Sequence, residues 1–377
     1  MPRTIYFVAG EASGDNHGAA VLRSLRQLEP DLQFAGRGGP QMKAIAGDRF
    51  HDWIDQAAVV GLWEVIKNYG YFRQKFRETL KEIESLRPDP VVLIDYPGFN
   101  LRLARALHRQ KNTTKIIYYI SPQVWAWNRG RIKQMACWLD VMLCIFPFEA
   151  ELYNQSGLRA RFVGHPMLER LDAQKIDVQR DPNLIALFPG SRRREVRKIF
   201  PVMLETARKL HRERPNIRFE VAAASRELAQ EMEPLISRGD GAWLSIKHAD
   251  TAAIMQRASV GVVASGSATL EAAYFRLPFV LVYKVAWLTY LAARMVVKIK
   301  YLGMPNVLAN KEIVPEFIQY RAKPPLIARA VLSLIEQPAR RSQMLADFDA
   351  VISKLEESGA SMTAAAAILE EMASPGA

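Results

Sequence analysis

Cysteine is almost missing from this chain of 377 residues: Cys137 and Cys144 are the two present, both in apolar surroundings, so a disulfide framework is excluded and free core thiols are expected. Histidine is sparse as well. None of the six stands four residues from another, which removes the helical zinc pattern, and no metal is expected. Long apolar runs are absent: the most hydrophobic segment, Val285 to Val297, is short, is interrupted by Arg294, and cannot span a bilayer. The stretch Ile5 to Ala9 stops at Gly10-Glu11 and reads as a strand rather than a signal peptide. Acid is in deficit, 39 Asp and Glu against 51 Lys and Arg, and the net charge of +12 calls for an acidic partner: nucleic acid, an anionic lipid surface or a phosphorylated substrate. Nucleic acid is not expected, because zinc-finger spacing and basic-aromatic repeats are both lacking. No G-x-S-x-G elbow marks a hydrolase. The single D-x-D, Asp347-Phe348-Asp349, falls in a helical pattern that splays its carboxylates by about 200°, so it reads as a solvated face.

What the chain does have is apolar content of 49%, enough for two cores at this length. Short apolar runs recur with amphipathic segments between them: Ile5 to Ala9, Val91 to Ile94, Ile116 to Ile120, Val141 to Ile145, Leu184 to Phe188, Ile217 to Ala222, Val260 to Val263 and Phe279 to Tyr283. That alternation predicts α/β architecture with parallel sheets covered on both faces. The pattern loosens between about Met167 and Asn183, where the domain boundary is expected. Residues 1–168 and 169–337 then read as two Rossmann-like domains facing a cleft.

The segment Ser259 to Lys284 reads as strand, turn, helix and strand. Ser265, Gly266 and Ser267 form a turn whose backbone N–H groups suit an anion, and Glu271 is placed either to accept from ribose hydroxyls or merely to complement the helix dipole. In Pro189-Gly190-Ser191-Arg192 a hydroxyl, loop N–H groups and a guanidinium converge as a diphosphate requires. The first loop, Gly10 to Asp15, lacks the spacing of a dinucleotide fingerprint. Its Glu11, Ser13 and Asp15 are candidates for a sugar or anion contact at a strand end, with Asp15 alternatively a helix cap. Asp95 closes a buried strand ahead of Pro97-Gly98 and Asn100, a good position for a general base, or for a carboxylate that binds the turn. Ser121 and Trp125 stand in a strand-end loop suited to a sugar or lipid platform, or to core packing. From Ala57 to Lys81, Leu62, Trp63, Ile66, Tyr69, Phe72 and Phe76 mark a greasy helical face with a basic rim, fit for a membrane interface, an acyl chain or simply the sheet beneath.

Taken together, GEASGD (10–15), IDYPGFN (94–100), SPQVWAW (121–127), FVGHP (162–166), PGSRRREV (189–196), SGSATLE (265–271) and MPNVLANKEIVPE (304–316) resemble the lipid-A-disaccharide synthases, in the family's order from Ile5 to about Phe317. The resemblance implies a GT-B fold whose C-terminal helices, 338–377, cross back to the first domain. It implies an inverting, metal-independent glycosyltransferase of Gram-negative bacteria, without cofactor, acting on UDP-2,3-diacylglucosamine and 2,3-diacylglucosamine 1-phosphate. The site would be cytoplasmic, with peripheral contact to anionic inner-membrane lipid. Asp95 would be the base. Ser191, Arg192, Ser265, Gly266, Ser267 and Glu271 would hold UDP, and Asn306 and Glu312 would lie in the cleft. Gly98 departs from the pattern, since many members carry a second Asp there. Two other readings are open: an enzyme like UDP-N-acetylglucosamine 2-epimerase, and a non-catalytic module binding polyanions or membranes.

Overall fold

The computed structural model describes residues 3–54, 69–110, 113–287, 300–356 and 359–374. It divides into two compact units, 1–166 with 355–377, and 167–354. Among the described residues the first unit holds a sheet in the order β3-β2-β1-β4-β5-β6-β7. Its strands are β1 (Thr4–Ala9), β2 (Gln33–Gly38), β3 (Phe50–Asp52), β4 (Pro90–Ile94), β5 (Lys115–Tyr119), β6 (Val141–Cys144) and β7 (Ala160–Phe162). Every pairing is parallel. The apolar runs are continuous because both faces are buried. Tyr6, Val8, Val91 and Leu93 enter one core while Ile5, Phe7, Val92 and Ile94 enter the other, the alternation a pleated strand imposes.

The second unit repeats the plan with β8 (Asp181–Phe188), β9 (Arg218–Ala223), β10 (Leu244–His248), β11 (Ala258–Ala264), β12 (Phe279–Tyr283) and β13 (Glu316–Ile318), in the order β10-β9-β8-β11-β12-β13 and again all parallel. All eight expected strands are present. Four of the five that the apolar pattern did not predict, β3, β7, β10 and β13, lie at sheet edges, where half-exposed strands need no apolar run. The fifth, β2, is interior but reads QFAGRG. Gly36 there has φ +136°, and a Cβ would come within 2.0 Å of the Phe7 carbonyl oxygen. Arg37 is buried in an ion pair with Glu82.

The carboxyl-terminal helices separate. Helix Pro338–Ile352 stays in the second unit, where Phe348 stacks on Phe279 at 5.7 Å and Lys311 pairs with Asp347 at 2.6 Å. The return expected at 338 therefore comes at Leu355, because the apolar face of this helix is already used. Helix Ala360–Ala373 buries Ala364, Ala365 and Ile368 in the first unit's core, and Lys115 Nζ donates to the carbonyls of Glu371 at 2.6 Å and Ser374 at 2.7 Å. No described helix is long and apolar enough to cross a membrane.

Candidate functional site

Each sheet reverses its winding once. In the first, the chain runs from β1 out to β2 and β3, then returns to add β4 on the other side; in the second, β8 and β11 stand in the same relation. Loops leaving two such strands diverge to opposite faces and open a crevice at their carboxyl ends, the usual ligand position in open α/β sheets.

In the first unit, Ala9 and Ile94 are register partners, so Glu11 and Asp95 emerge side by side. Asp95 and Tyr96 both have left-handed backbones, φ +45° and +47°, a strain that non-glycine residues keep only where surroundings enforce it. Three groups do so. The Asp95 N–H donates to the Tyr119 carbonyl at 3.0 Å, the Asp95 carbonyl accepts from Asn100 Nδ2 at 2.8 Å, and it accepts again from the Tyr118 hydroxyl. Burial, helped by the nearby Glu11 carboxylate, pushes the Asp95 carboxyl up to about 6. Gly10 is required here, since a Cβ would stand 2.2 Å from the Tyr96 ring.

Several expected contacts have other tasks. Asn100 is fully buried, and its Nδ2 also donates to the carbonyls of Ile94 at 3.1 Å and Val8 at 3.3 Å, so it ties the ends of β1 and β4 together rather than facing a ligand. Asp15 caps a helix other than its own: it accepts from Gly39, Gln41 and Met42 N–H groups at 2.9–3.0 Å, at the start of helix Pro40–Ala46. Trp125 and Ser121 are core residues. Trp125 Nε1 donates to Glu149 at 2.8 Å, and burial pushes that carboxyl up to about 7, opposed by the neighbouring Ser121 hydroxyl and by the Trp125 hydrogen bond. Sequence reasoning missed Glu149, whose place in the first turn of a proline-led helix reads as dipole compensation. Glu11 and Ser13 are exposed, and Gly98 faces open space.

Of the expected greasy face, Leu62, Trp63 and Ile66 lie outside the described residues, and Tyr69 opens the helix Tyr69–Leu86. Phe72 and Phe76 pack on the first unit's core, Phe76 against Phe99 at 5.5 Å. The exposed face of this helix carries Arg73, Arg77 and Lys81 instead.

In the second unit, Phe188 and Val263 are register partners, which brings Pro189–Arg192 beside Ser265–Ser267. The contact is close: a Cβ on Gly190, φ +107°, would lie 3.7 Å from that of Ala264. Ser191 and Arg192 are exposed at the start of the helix Arg193–Glu213, with Arg192 Nη1 donating to Glu195 at 3.1 Å. Gly266, φ +141°, and Ser267 are exposed with open space before them, while Ser265 is half-buried. Glu271 accepts from Arg170 Nη2 at 2.9 Å, a partner from helix Met167–Asp172. Asn306, expected to face a ligand, is instead fully buried with its amide saturated. It donates to Val314 and Glu316 and accepts from the Ile313 and Val314 N–H groups, all at 2.8–2.9 Å. Glu316 closes that knot by accepting from Leu302 at 3.0 Å and Gly303 at 2.9 Å, and Glu312 is exposed. Among the described residues no group of three or more His, Cys, Asp and Glu is arranged to hold a metal ion.

Residues 5–369 match a family model described as lipid-A-disaccharide synthetase. The lipid-A-disaccharide synthase of Geobacter sulfurreducens is 37% identical over 374 residues, 97% of this chain and 96% of that one; the one from Syntrophus aciditrophicus is 38% identical over 371 residues, 96% of each. Among solved structures, the UDP-GlcNAc 2-epimerase of Neisseria meningitidis bound to UDP-GlcNAc aligns with TM-score 0.61 at 12% identity, covering 98% of this chain and 99% of its own. The calicheamicin glycosyltransferase CalG4 aligns at 0.60 and 12% identity, covering 99% and 98%. At such identities these two speak for the fold alone, two Rossmann-like units of the GT-B class.

Proposed function

This chain belongs to the lipid-A-disaccharide synthetase family, and from that premise we propose which residues carry its reaction. The enzyme is a glycosyltransferase. It moves 2,3-diacylglucosamine from its UDP derivative to the 6-hydroxyl of 2,3-diacylglucosamine 1-phosphate, giving UDP and the β-1',6-linked disaccharide 1-phosphate of lipid A. Family membership over nearly the whole chain disfavours the epimerase reading, which had only the fold in its support.

Asp95 is the general base in this proposal. Its carboxylate takes the proton of the 6-hydroxyl as that oxygen attacks the anomeric carbon from the face opposite UDP; the carbon–oxygen bond to the diphosphate breaks, and the α-linked donor becomes a β-linked product. The observation that carries the assignment is the enforced left-handed turn at the β1/β4 switch point, which holds a partly desolvated carboxyl with a raised proton affinity. A value near 6 leaves Asp95 mostly ionised at neutral pH, yet more basic than an ordinary Asp. The departing UDP gains negative charge, which we assign to Arg192, the Ser191 loop and the open turn Ser265–Ser267, with Glu271, oriented by Arg170, accepting from the ribose hydroxyls. Asp95→Asn should abolish disaccharide formation, followed by mass spectrometry, while UDP affinity is retained. Full turnover by that variant would remove the base assignment.

We further place the enzyme at the cytoplasmic face of the inner membrane, in peripheral contact with anionic lipid. The net charge of +12 and the exposed Arg73, Arg77 and Lys81 support this. Flotation with phosphatidylglycerol vesicles should weaken with salt and with charge reversal at those three positions; salt-independent binding would contradict an electrostatic contact.

A further inference from the structure

We propose that a second pocket of the first unit, distinct from the switch-point crevice, binds the phosphate of the acceptor sugar; this rests on the substrate reading just given. The helix Pro97–Arg109 and the residues that follow Trp127 wall a cavity of about 570 Å³, lined among others by Arg102, Arg105, Asn128, Arg131, Gln134 and Trp138. Its lining contains three guanidiniums and no carboxylate. Among the described residues none of the three arginines has an acidic group within the 4.0 Å of an ion pair, unlike Arg159 and Arg161 of the same unit, which pair with Glu371 and Glu370. Arg105 lies over the Trp138 ring at 5.7 Å, which fixes one guanidinium without neutralising it.

Three unpaired cations around one cavity repel each other until an anion enters. Arg102 and Arg105 are three residues apart on one helix and share a face. Arg131 comes from a separate short helix, Arg131–Ala136, and the amides of Asn128 and Gln134 add neutral donors. Guanidiniums on converging elements, backed by amides, match the several acceptor oxygens of a phosphate monoester better than a lone carboxylate. The size also suits a small headgroup with its first sugar ring.

The pocket's place ties it to this reaction. Helix Pro97–Arg109 begins two residues after Asp95. Arg131 is close enough to the Tyr118 phenol to oppose the burial that raises it, and the Tyr118 hydroxyl donates to the Asp95 carbonyl. One wall of the pocket, the helix Pro97–Arg109, thus starts from the turn that holds the proposed base. A phosphate seated on the arginines would carry the attached sugar near that turn, so the pocket would select a phosphorylated acceptor over its neutral analogue. The motif SPQVWAWNRGR acquires a function in this way: its Trp125 end packs into the core and its Asn128 to Arg131 end faces the anion.

The test measures equilibrium binding to the full chain without donor, so that nothing turns over, using diacylglucosamine 1-phosphate and diacylglucosamine in neutral detergent. The wild-type chain is expected to prefer the phosphorylated form by at least tenfold. Arg102→Ala with Arg105→Ala should erase most of that preference while UDP affinity and circular dichroism stay as in wild type. A double variant that keeps the preference overturns the pocket; a wild-type chain that binds neither form overturns the substrate reading instead. In a parallel arm with phosphatidylglycerol vesicles, a double variant that loses vesicle binding but keeps its preference for the phosphorylated sugar would assign the arginines to membrane phosphate, and the proposal fails.

Discussion

Replacing Asp95 by Asn should destroy activity and stabilise the protein, two effects with one physical cause. The folded chain pushes the Asp95 carboxyl from 3.8 to about 6, first by burial and then by the Glu11 carboxylate. Holding the charged carboxylate there rather than at 3.8 costs ~3 kcal/mol. Because the folded-state value is raised, the native protein binds the proton more tightly than the unfolded chain between pH 4 and 6, and stability falls as pH rises through that window. Above about pH 6 the full cost of an ionised, partly desolvated Asp95 is present; below about pH 4 it is gone. Asn carries no charge, so Asp95→Asn should be more stable than wild type by up to ~3 kcal/mol at pH 7 and about equal to it at pH 4. Urea denaturation of both proteins from pH 4 to 8 isolates Asp95 together with its coupling to Glu11, since titrating groups that do not interact with Asp95 cancel in the difference. The same protein should lose on the order of 10² to 10⁴ in rate. A stability difference that does not change with pH would refute the claim that this carboxyl is held at energetic cost. A gain in stability with full activity would separate the strain from the chemistry.

Other outcomes follow from the same geometry. The acid limb of the pH–rate profile should have an apparent midpoint near 6, and Glu11→Gln should move it to lower pH, leaving the rate at pH 8 little changed; an unmoved limb would show that the two carboxylates do not interact. Arg192→Ala should weaken UDP about tenfold or more in calorimetric titration, since a charge-assisted contact contributes roughly 1.5–3 kcal/mol, and unchanged affinity would exclude it from the diphosphate site. Asn306→Ala leaves the Ile313 and Val314 N–H groups without their acceptor in a buried site, and a loss of roughly 3 kcal/mol or more is expected from chemical denaturation. A loss of affinity for UDP with stability intact would instead return Asn306 to the binding site.

The sequence alone settled the α/β class, because parallel strands buried on both faces must be written as near-continuous apolar runs, and Ile5 to Ala9 or Val260 to Val263 could hardly be anything else. It also marked the loops that follow those strands, and an ordered set of motifs carried the family. Pairing was beyond it. That Pro189–Arg192 lies beside Ser265–Ser267, and Glu11 beside Asp95, depends on which strands are neighbours, a property of winding order that local pattern does not encode. Burial was equally hidden. Asn100, Asp15, Trp125 and Asn306 look like ligand contacts in one dimension, and the fold uses each to satisfy backbone or carboxyl groups that would otherwise be stranded in the interior. Glu149 shows the converse, a surface-like glutamate that three-dimensional packing removes from water. The chemical types present were legible in the chain; only the tertiary structure decided which of them meet solvent, because exposure is a property of the neighbours a residue acquires.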